Sequence, residues 1–543
     1  MECGVKFGGA AGQGLLTLEI ALMDVLSRLR YHFFATKNYM SRIRGGHNFH
    51  MIRIADHPVH ALSGDLWEIV VAVDEEAEKR HRQSLAEGGL YLSAADMAEM
   101  TRLSGDAFGD RQSVNTIVMG VILSAIGCSP QRATEAAGAA HRAEVLERGF
   151  EIAAQRSFTG RFPVTPHAGA CHRFDGNQAL AFGAILGGCQ FMASYPMTPA
   201  TSIMNYFSRA ALQMPLHFEQ AEDEIGAVNM ALGASYAGLR SMVASSGGGF
   251  SLMAEGLSLA GMTETPIVII VAQRPGPSTG LPTRTEQGDL NFLIHAGQGE
   301  FPRVVYAPGS IQEAMLLARK AFEVADACQV PVLILTDQYF ADSVQVTEEV
   351  LPTALSRRLY ESRDSAYRRY APAPGGISSL TYPGLGKALV KVDSDEHDEE
   401  GLITEDLELR TRMVAKRMNK FEHIKPLSEM PVFSGDPDAQ TVLLSWGSNR
   451  LIVAEAVQRL LAQGKKIGGL HFGQVYPLFA PMVAPFSLQG KRIFCIENNA
   501  TGQFAGLLKR ELGIDTDRRI LKFNGECFTV AEICEMVLTN REG

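Results

Sequence analysis

Three acidic residues open the helical pattern "EDEIGAVNMALGASYAG", and the third of them has the best context for chemistry. Glu222, Asp223 and Glu224 exceed what capping requires, since acids at a helix start contribute only a few tenths to about 1 kcal/mol each. Glu224 directly precedes an apolar stripe that begins at Ile225, so we expect its side chain to point inwards. A buried carboxylate needs a partner, which makes Glu224 a candidate functional residue.

A second candidate, Arg274, follows directly on the strand pattern "TPIVIIVAQ". In parallel sheets ligands bind beyond the carboxyl ends of the strands. An arginine fork combined with hydroxyl groups suits a small carboxylate. The Pro- and Gly-rich loop after Arg274 supplies Ser278, Thr279, Thr283, Arg284 and Thr285. A surface loop with a solvated arginine explains the same composition, so the pattern alone leaves both interpretations open.

The stretch "SYPMTPATS" presents one hydroxyl, that of Thr198, between two prolines. Pro196 and Pro199 each fix φ at about −65° and favour an extended conformation in the preceding residue. This is a costly way to build an ordinary connection, which suggests a rigidly held Thr198. Nearby, the small residues 245–249 predict a turn that admits close approach by a ligand or by another chain.

The N-terminal stretch "GGAAGQG" lies between a strand pattern and a helix pattern. Its order of glycines, which includes Gly12 and Gly14, differs from the dinucleotide-binding G-x-G-x-x-G. A helix start reached through glycines still offers free N–H groups to an anion, although a tight turn explains it equally well. The loop "SRIRGGHN", with Arg42, Arg44 and His47, faces either a phosphate or solvent, and its spacing does not decide between them.

Composition excludes several classes of protein. The net charge of −10 argues against a nucleic-acid binder, and no apolar run has the length of a membrane span. The start "MECGVKFGGA" lacks the features of a secretory signal, so we expect a cytoplasmic protein. The eight cysteines are scattered without a C-x-x-C pair, so we expect no metal site or iron–sulfur cluster held by this chain alone.

The elements that must position these residues predict a multidomain α/β protein. Residues 1–165 alternate strands and helices, with "TEAAGAAHRAEVLERGFEIAAQR" read as one long amphipathic helix. Residues 172–346 alternate β-rich runs with helices, which indicates a parallel, doubly wound sheet. Residues 347–432 carry mixed charge blocks typical of a solvated connector, and residues 433–543 return to α/β alternation.

Together these segments resemble the alpha chain of the 2-oxoacid:ferredoxin (acceptor) oxidoreductases, which are thiamine diphosphate enzymes. The resemblance rests on "YPMTP", "EDEIGAVNMALGASYAG", "SGGGFSLMAEGLSLAGMTETP" and "QRPGPSTGLPTRTEQGDL". It implies a Rossmann-like gamma domain over residues 1–165, a pyrimidine-binding thiamine diphosphate domain over 172–346 and, from "ENNATGQFAGLLKREL", a transketolase C-terminal-like domain over 433–543. The "GPSTGLPTRTEQGDL" version is most like members acting on 2-oxoglutarate. Gly248 departs from the family's usual proline without removing a chemical group.

The resemblance implies roles for individual residues. Glu224 matches the glutamate that hydrogen-bonds the aminopyrimidine ring of thiamine diphosphate and promotes its imino tautomer. Arg274 matches the arginine on the substrate carboxylate, and Thr198 matches a threonine that hydrogen-bonds the substrate. Thr283 is a further expected contact by its place in the loop. From charge and position alone, we expect Arg284 to meet a distal carboxylate.

The resemblance also implies which parts of the active site lie on this chain and which lie on a second subunit. It places the cofactor beside Tyr195 and Pro196, and a weaker expectation assigns coenzyme A or a phosphate to Gly12, Gly14, Arg42 and Arg44. The thiamine diphosphate–magnesium signature, G-D-G followed by paired asparagines, is missing from the sequence. A beta subunit is therefore expected to bring the diphosphate site, Mg²⁺ and a [4Fe–4S] cluster, with ferredoxin as electron acceptor, in a heterodimer or a dimer of heterodimers.

The resemblance implies oxidative decarboxylation of 2-oxoglutarate with coenzyme A, giving succinyl-CoA, CO₂ and reduced ferredoxin. Two alternatives remain open at this point. The same reaction on pyruvate or a branched-chain 2-oxoacid is the nearer one. A Rossmann-like nucleotide-binding regulatory module is the more distant one, and only the N-terminal glycine loop supports it.

Overall fold

The computed structural model describes residues 1–40, 46–169, 172–348, 350, 360–361 and 363–539. The chain divides into two compact units. Unit 1 comprises Met1–Asp175, Asp342–Val350 and Thr529–Glu532, and unit 2 comprises the remainder.

Strands and helices alternate along most of the chain. The strands are β1 Glu2–Ala10, β2 His32–Asn38, β3 His47–Ala55, β4 Trp67–Ala72, β5 Leu85–Leu92, β6 His172–Asp175, β7 Phe191–Ser194, β8 His217–Gln220, β9 Ser241–Ser245, β10 Ile267–Gln273, β11 Val304–Tyr306, β12 Pro331–Asp337, β13 Val344–Thr347, β14 Val432–Gly435, β15 Thr441–Trp446, β16 Ile467–Phe472, β17 Gln474–Tyr476, β18 Arg492–Glu497 and β19 Arg518–Leu521. The α-helices are α1 Leu15–Arg28, α2 Glu75–His81, α3 Ala94–Phe108, α4 Val114–Ala125, α5 Pro130–Ala137, α6 Ala143–Gln155, α7 Gly176–Leu186, α8 Thr201–Ala211, α9 Glu224–Tyr236, α10 Gly247–Leu252, α11 Ala254–Met262, α12 Leu290–His295, α13 Ile311–Cys328, α14 Gln338–Asp342, α15 Leu407–Met418, α16 Lys420–Ile424, α17 Asn449–Ala462, α18 Ala480–Val483, α19 Gln503–Leu512 and α20 Val530–Thr539.

Unit 1 is built on a mixed sheet with the strand order β5-β4-β1-β3-β2-β13-β6. Strand β1 is parallel to β4 and antiparallel to β3. The apolar helix α4 is buried in the core and touches α6 at two glycines. A Cβ at Gly120 would lie 2.5 Å from the carbonyl oxygen of Leu146, and one at Gly149 would clash with the carbonyl oxygen of Ile117. These glycines let the two helix backbones meet directly.

Two expectations for this part of the chain need correction. The segment read as one long amphipathic helix forms two helices, α5 and α6. They are separated at Gly138, whose φ of 59° lies in the left-handed region and stops the first helix. The strands β6 and β13, which the sequence places in the second region, pair with each other and belong to the sheet of unit 1. Strand pairing across more than 160 residues leaves no local signal.

Unit 2 contains two sheets. The first has the order β17-β11-β12-β10-β9-β7-β8, and its strands run parallel except for β17, which is antiparallel to β11. The second has the order β14-β16-β15-β18-β19 and is parallel except for β14. Strands β10 and β12 are buried along their whole length, which is typical of parallel sheets covered on both faces. The predicted α/β fold class is confirmed.

The charged segment between the two sheets is not simply solvated. Lys420 is 1% exposed, and the guanidinium-bearing side chains of Arg369 and Arg417 are also buried. Lys416 and Lys420 both hold the completely buried carboxylate of Glu264, each at 2.6 Å. The expectation of a solvated connector is therefore wrong for these residues: Lys416 and Lys420 are neutralised by Glu264 from a distant part of the sequence, and Arg417 is neutralised by Glu396 within the segment. None of the helices in the described part of the chain is long and apolar enough to span a membrane.

Candidate active site

Four neighbouring strands of the first sheet in unit 2 end at one edge and bring the predicted site segments together. In the order β8, β7, β9 and β10 these strands are parallel. Because parallel strands present their carboxyl ends at the same edge, the segments that follow them lie side by side. These segments carry, in the same order, Glu224, Thr198, the turn 246–249 and Arg274.

The Glu224 side chain points into the unit, as the sequence predicts. Asp223 caps the helix by accepting a hydrogen bond from the N–H of Gly226 at 2.7 Å, so the ordinary capping role falls to this neighbour. Glu224 is 3% exposed, and its Oε1 accepts a hydrogen bond from the Ser245 hydroxyl at 3.0 Å. Within the described residues its Oε2 accepts none. Glu224 therefore presents a fixed, buried carboxylate with one oxygen, Oε2, available.

The turn after β9 shapes the space around this carboxylate. A Cβ at Gly249 would clash with both Ser245 Oγ and Glu224 Oε1, so only glycine fits there. A Cβ at Gly248 meets nothing within 4 Å in the described structure, which agrees with a family position that tolerates proline. The Ser246 hydroxyl is buried without a hydrogen-bond partner among the described residues.

Thr198 and Arg274 lie in contact. Arg274 Nη1 donates to the carbonyl oxygen of Thr198 at 2.9 Å. The arginine follows β10 and the threonine follows β7, which are two strands apart, or about 9.6 Å at about 4.8 Å per strand, so the side chain of Arg274 extends across the end of β9. On the other side of the loop's sequence, Asn177 of α7 donates to the carbonyl oxygen of Pro199 at 2.8 Å. The loop that carries Thr198 is thus held from two sides.

The groups that would meet a substrate are left unpaired in this arrangement. The Thr198 hydroxyl forms no hydrogen bond within the described chain, and Arg274 has no acidic partner there. Burial lowers the pKa of Arg274. A partly buried guanidinium without a carboxylate carries a charge that is costly to desolvate.

The two remaining candidates in the loop after Arg274 are Thr283 and Arg284, and their surroundings differ. Thr283 is buried. Arg284 is paired with an acid, since its Nη1 lies 3.8 Å from Glu526 Oε1. The neighbouring Thr285 is fixed by its N–H, which donates to the carbonyl oxygen of Gly525 at 3.2 Å. The structure therefore shows Arg274, and not Arg284, as the unpaired cation of this loop.

Asp289 and Glu286 were missed by sequence reasoning. A Cβ at Gly247 would clash with Asp289 Oδ2, so this carboxylate lies against the turn that borders Glu224. Burial raises the pKa of Asp289 to about 6, and burial together with the Asp289 charge raises that of Glu286. The only sequence signal was the presence of two acids in "TEQGDL", which is equally typical of a solvated loop.

The N-terminal glycine loop lies in unit 1. Gly12 and Gly14 have φ values of 92° and 84°, in the left-handed region that favours glycine, and they lead into α1. They line a cleft of about 880 Å³ together with Thr17, Arg102, Arg111 and Asn115, among others. His47 lies with its Nε2 2.6 Å from Nε2 of His81. Arg42 and Arg44 fall outside the described residues.

A parallel sheet with a buried glutamate at the start of a helix, and an arginine and a threonine at neighbouring strand ends, is the arrangement expected from the sequence resemblance to thiamine diphosphate enzymes. Comparison with protein families agrees. Residues 182–416 match the family described as pyruvate flavodoxin/ferredoxin oxidoreductase, thiamine diphosphate-binding, and residues 4–155 match pyruvate ferredoxin/flavodoxin oxidoreductase.

Relatives cover the whole chain. The 2-oxoacid:ferredoxin oxidoreductase subunit alpha of Sulfolobus sp is 30% identical over 98% of this chain and 96% of its own length. The 2-oxoglutarate synthase subunit KorA of Methanocaldococcus jannaschii is 33% identical over 60% of this chain and 87% of its own. The solved structure of 2-oxoglutarate:ferredoxin oxidoreductase from Magnetococcus marinus, with 2-oxoglutarate, coenzyme A and succinyl-CoA bound, superposes with a TM-score of 0.89 at 26% identity, over 99% of each chain.

This chain belongs to the family of the alpha subunits of 2-oxoacid:ferredoxin oxidoreductases, which depend on thiamine diphosphate. It is thus an enzyme subunit, as the sequence resemblance predicts, and the alternative of a nucleotide-binding regulatory module is not supported.

Proposed function

We propose that this chain, together with a second subunit, converts 2-oxoglutarate, coenzyme A and oxidised ferredoxin into succinyl-CoA, CO₂ and reduced ferredoxin. The observation that carries the proposal is the Arg274 guanidinium, which has no acidic partner in the described chain and contacts Thr198 through its carbonyl oxygen, at the same sheet edge as the buried Glu224. The choice of 2-oxoglutarate is supported by the loop "GPSTGLPTRTEQGDL" and by relatives named for this substrate.

In this proposal Arg274 binds the carboxylate next to the 2-oxo group. Its Nη1 donates to the Thr198 carbonyl oxygen at 2.9 Å and its Nη2 lies 3.7 Å from Met197 Sδ, and these two contacts fix the orientation of the guanidinium. The Thr198 hydroxyl then donates to or accepts from the 2-oxoacid, and Thr283 adds a further contact. Holding the reacting carbon in place matters because a small misplacement is expensive for the rate.

The residues around Glu224 fit thiamine diphosphate. The carboxylate is buried and held by Ser245, its Oε2 is available, and Gly249 keeps the space beside it open. When bound, the cofactor supplies the electron sink for loss of CO₂. The role of this chain would be to hold a proton at Glu224 Oε2 for the aminopyrimidine ring, and Tyr195 and Pro196 would contribute further contacts to the cofactor.

Two further assignments concern the distal carboxylate of 2-oxoglutarate and the phosphate groups of coenzyme A. Arg284 meets the distal carboxylate of 2-oxoglutarate after exchanging its present partner, Glu526. The cleft at Gly12 and Gly14 takes the phosphate groups of coenzyme A, for which the left-handed glycines and the helix start of α1 offer N–H donors. Arg42 and Arg44 are proposed to assist there from the following loop.

The second subunit is proposed to carry the diphosphate site with Mg²⁺ and a [4Fe–4S] cluster, in a heterodimer or a dimer of heterodimers. Support comes from the missing G-D-G signature and the scattered cysteines of this chain. The proposed location is the cytoplasm, where such thiols stay reduced.

The test is a substrate panel on the complex co-purified with its second subunit. Reduction of a viologen dye should require thiamine diphosphate, coenzyme A and a 2-oxoacid, with a higher kcat/KM for 2-oxoglutarate than for pyruvate or 2-oxoisovalerate. Arg284→Met should lower kcat/KM for 2-oxoglutarate alone. A higher kcat/KM for pyruvate, or an equal loss for every substrate in Arg284→Met, would contradict the assignment of 2-oxoglutarate.

A further inference from the structure

Gln287 is the most tightly held residue of the loop that follows β10. It is completely buried. Its Nε2 donates to the carbonyl oxygen of Trp446 at 3.0 Å, and its Oε1 accepts from Asn449 Nδ2 at 2.9 Å and from the N–H of Asn498 at 3.0 Å. Its own N–H donates to the carbonyl oxygen of Asn498 at 2.7 Å, and its carbonyl accepts from Asn499 Nδ2 at 3.1 Å. Every polar atom of the residue is paired.

The partners of Gln287 lie at the carboxyl ends of two neighbouring strands in the second sheet of unit 2. Trp446 ends β15, and Asn498 follows β18, its parallel neighbour. From β15 the chain continues to β16 on one side and later returns to β18 on the other. This is a topological switch point, and in open α/β sheets the crevice beyond the strand ends there is the usual ligand site. Here a side chain from the first sheet's loop fills it.

The residues on either side of Gln287 are anchored to the same part of the unit. The Thr285 N–H donates to the carbonyl oxygen of Gly525 at 3.2 Å, and Gln503 Nε2 donates to the carbonyl oxygen of Gly288 at 2.7 Å. By contrast, residues 276–281 of the same loop are exposed. The second sheet therefore fixes one half of the loop only, and this half adjoins Thr283.

A chain of contacts through Asp289 connects the fixed half of the loop to Glu224. Asp289 is held by its N–H, which donates to Gln273 Oε1 at 2.8 Å. Its carboxylate lies against Gly247, in the turn whose Gly249 touches the Glu224 carboxylate. The position of the loop thus bears both on the proposed substrate contact and on the wall beside Glu224.

We propose that Gln287 is a positioning residue of the active site, which fills the strand-end crevice of the second sheet and thereby holds Thr283 and Asp289 in place. The proposal rests on the proposed function, in which this loop contacts the 2-oxoacid. In this proposal the second sheet positions the active-site loop, and the crevice at its strand ends is filled by Gln287 and binds no ligand.

The test compares two isosteric changes in the assembled enzyme. Gln287→Glu puts an oxygen against the Trp446 carbonyl oxygen in place of the Nε2 donor. Gln474→Glu is the matched control, because Gln474 is equally buried and hydrogen-bonded, donating to the carbonyl oxygen of Pro477 at 2.7 Å and accepting from the N–H of Glu429 at 2.9 Å, but outside the loop. Gln287→Glu should raise KM for 2-oxoglutarate about tenfold and lower kcat by a smaller factor, because both Thr283 and the wall beside Glu224 shift, and the control should leave both constants unchanged.

A double-mutant cycle then separates positioning from general destabilisation. If Gln287 acts through Thr283, Thr283→Val should raise KM in the wild-type background and add almost nothing in Gln287→Glu. Equal KM values in the two glutamine variants, or full additivity with Thr283→Val, would overturn the proposal.

A milder variant decides the matter if Gln287→Glu does not fold. Asn449→Ala removes one donor to Gln287 Oε1 and leaves the other bonds of Gln287 intact. It should raise KM about threefold, and an unchanged KM would count against Gln287. A wild-type complex without 2-oxoacid-dependent dye reduction would instead sink the proposed function, so the two failures are distinguishable.

Discussion

Two regions of unit 2 treat their charged side chains in opposite ways. Around Glu264, three cations converge on one buried residue: Lys416 and Lys420 bind its carboxylate, and Arg369 Nη2 donates to its carbonyl oxygen at 2.8 Å. At the strand-end site, Arg274 has no acid and Glu224 Oε2 has no donor among the described residues. Glu224 is almost as buried as Glu264, at 3% against 0% exposed, so burial does not explain the difference between the two carboxylates.

The contrast separates stability from function. A buried charge that is fully paired within the chain holds segments together, and breaking such a set is costly. A buried charge without a partner costs free energy unless something outside the chain supplies one. Such groups are therefore expected to bind ligands. The predictions below test whether the two regions can be disturbed separately, from the largest effect to the smallest.

Glu224→Gln should lower kcat of the assembled enzyme by about 10²–10⁴-fold, the range for loss of a positioned proton donor or acceptor. The melting temperature of the variant should stay close to that of the wild type, because the amide still accepts the Ser245 hydrogen bond. Steady-state viologen reduction and a thermal melt on the same preparation provide the check. A stable variant with normal kcat would remove Glu224 from the chemistry.

Glu264→Gln should have the reverse effect and lower the free energy of unfolding by about 3–5 kcal/mol, since it leaves buried cations unpaired. The measurement is urea unfolding of the chain, and the control is Glu255→Gln at an exposed position, which should change little. At a temperature where the variant is folded, kcat/KM should be unchanged. A loss of kcat/KM without a loss of stability would contradict the division drawn here.

The same acid should make this region sensitive to low pH. Burial raises the pKa of Glu264, but the charges of Lys420 and Lys416 outweigh it and lower the pKa from 4.5 to about 2. A carboxyl with a depressed pKa stabilises the fold above its ordinary pKa, and this stability is lost as pH falls from about 4.5 towards 2. Urea midpoints should fall over this window in the wild type and much less in Glu264→Gln. Parallel pH curves for both proteins would refute the assignment.

Arg274→Ala should cost about 2–3 kcal/mol in kcat/KM, the worth of a charged hydrogen bond. The exposed Arg209 offers a control, and its replacement by alanine should have no effect on kcat/KM. An unchanged kcat/KM in Arg274→Ala would take this arginine out of the substrate site.

The smallest effects concern two adjacent glycines. Gly249→Ala should lower kcat by at least about tenfold, because the new Cβ clashes with Glu224 Oε1. Gly248→Ala should keep kcat and raise the free energy of unfolding by about 0.5–1 kcal/mol, since its Cβ meets open space inside a helix. Equal activities in the two variants would mean that the wall beside Glu224 is softer than the structure indicates.

The sequence allowed correct prediction of what depends on local pattern. The runs "TPIVIIVAQ" and "VPVLILTD" form buried parallel strands. Glu224 is buried as predicted, but Ile225, the expected start of the apolar stripe, is 50% exposed, and the buried face runs through Ala227, Val228, Ala231 and Leu232. The proline-bounded loop and Arg274 lie where the strand-end rule places them. In each case the signal and the structure fall within a few residues of each other.

Features that depend on contacts between distant segments could not be predicted. The hydrogen bonds of Gln287 span more than 150 residues, and the burial of Lys420 follows from Glu264, far away in the sequence. The pairing of β13 with β6 is of the same kind. Composition indicated a solvated segment because the sequence does not show which charged residues are paired in the fold and which are solvated. The roles of Thr198, Thr283, Arg284, Tyr195 and Pro196 stay predictions.

The most direct test of the account measures the proton at C2 of the thiazolium ring of bound thiamine diphosphate. Its exchange with deuterium, followed by NMR in the assembled enzyme without 2-oxoacid, reports whether Glu224 acts on the cofactor. The account predicts that Glu224→Gln slows this exchange by at least about 100-fold, while Glu264→Gln, assayed where it is folded, leaves it unchanged. Exchange as fast in Glu224→Gln as in the wild type would contradict the account.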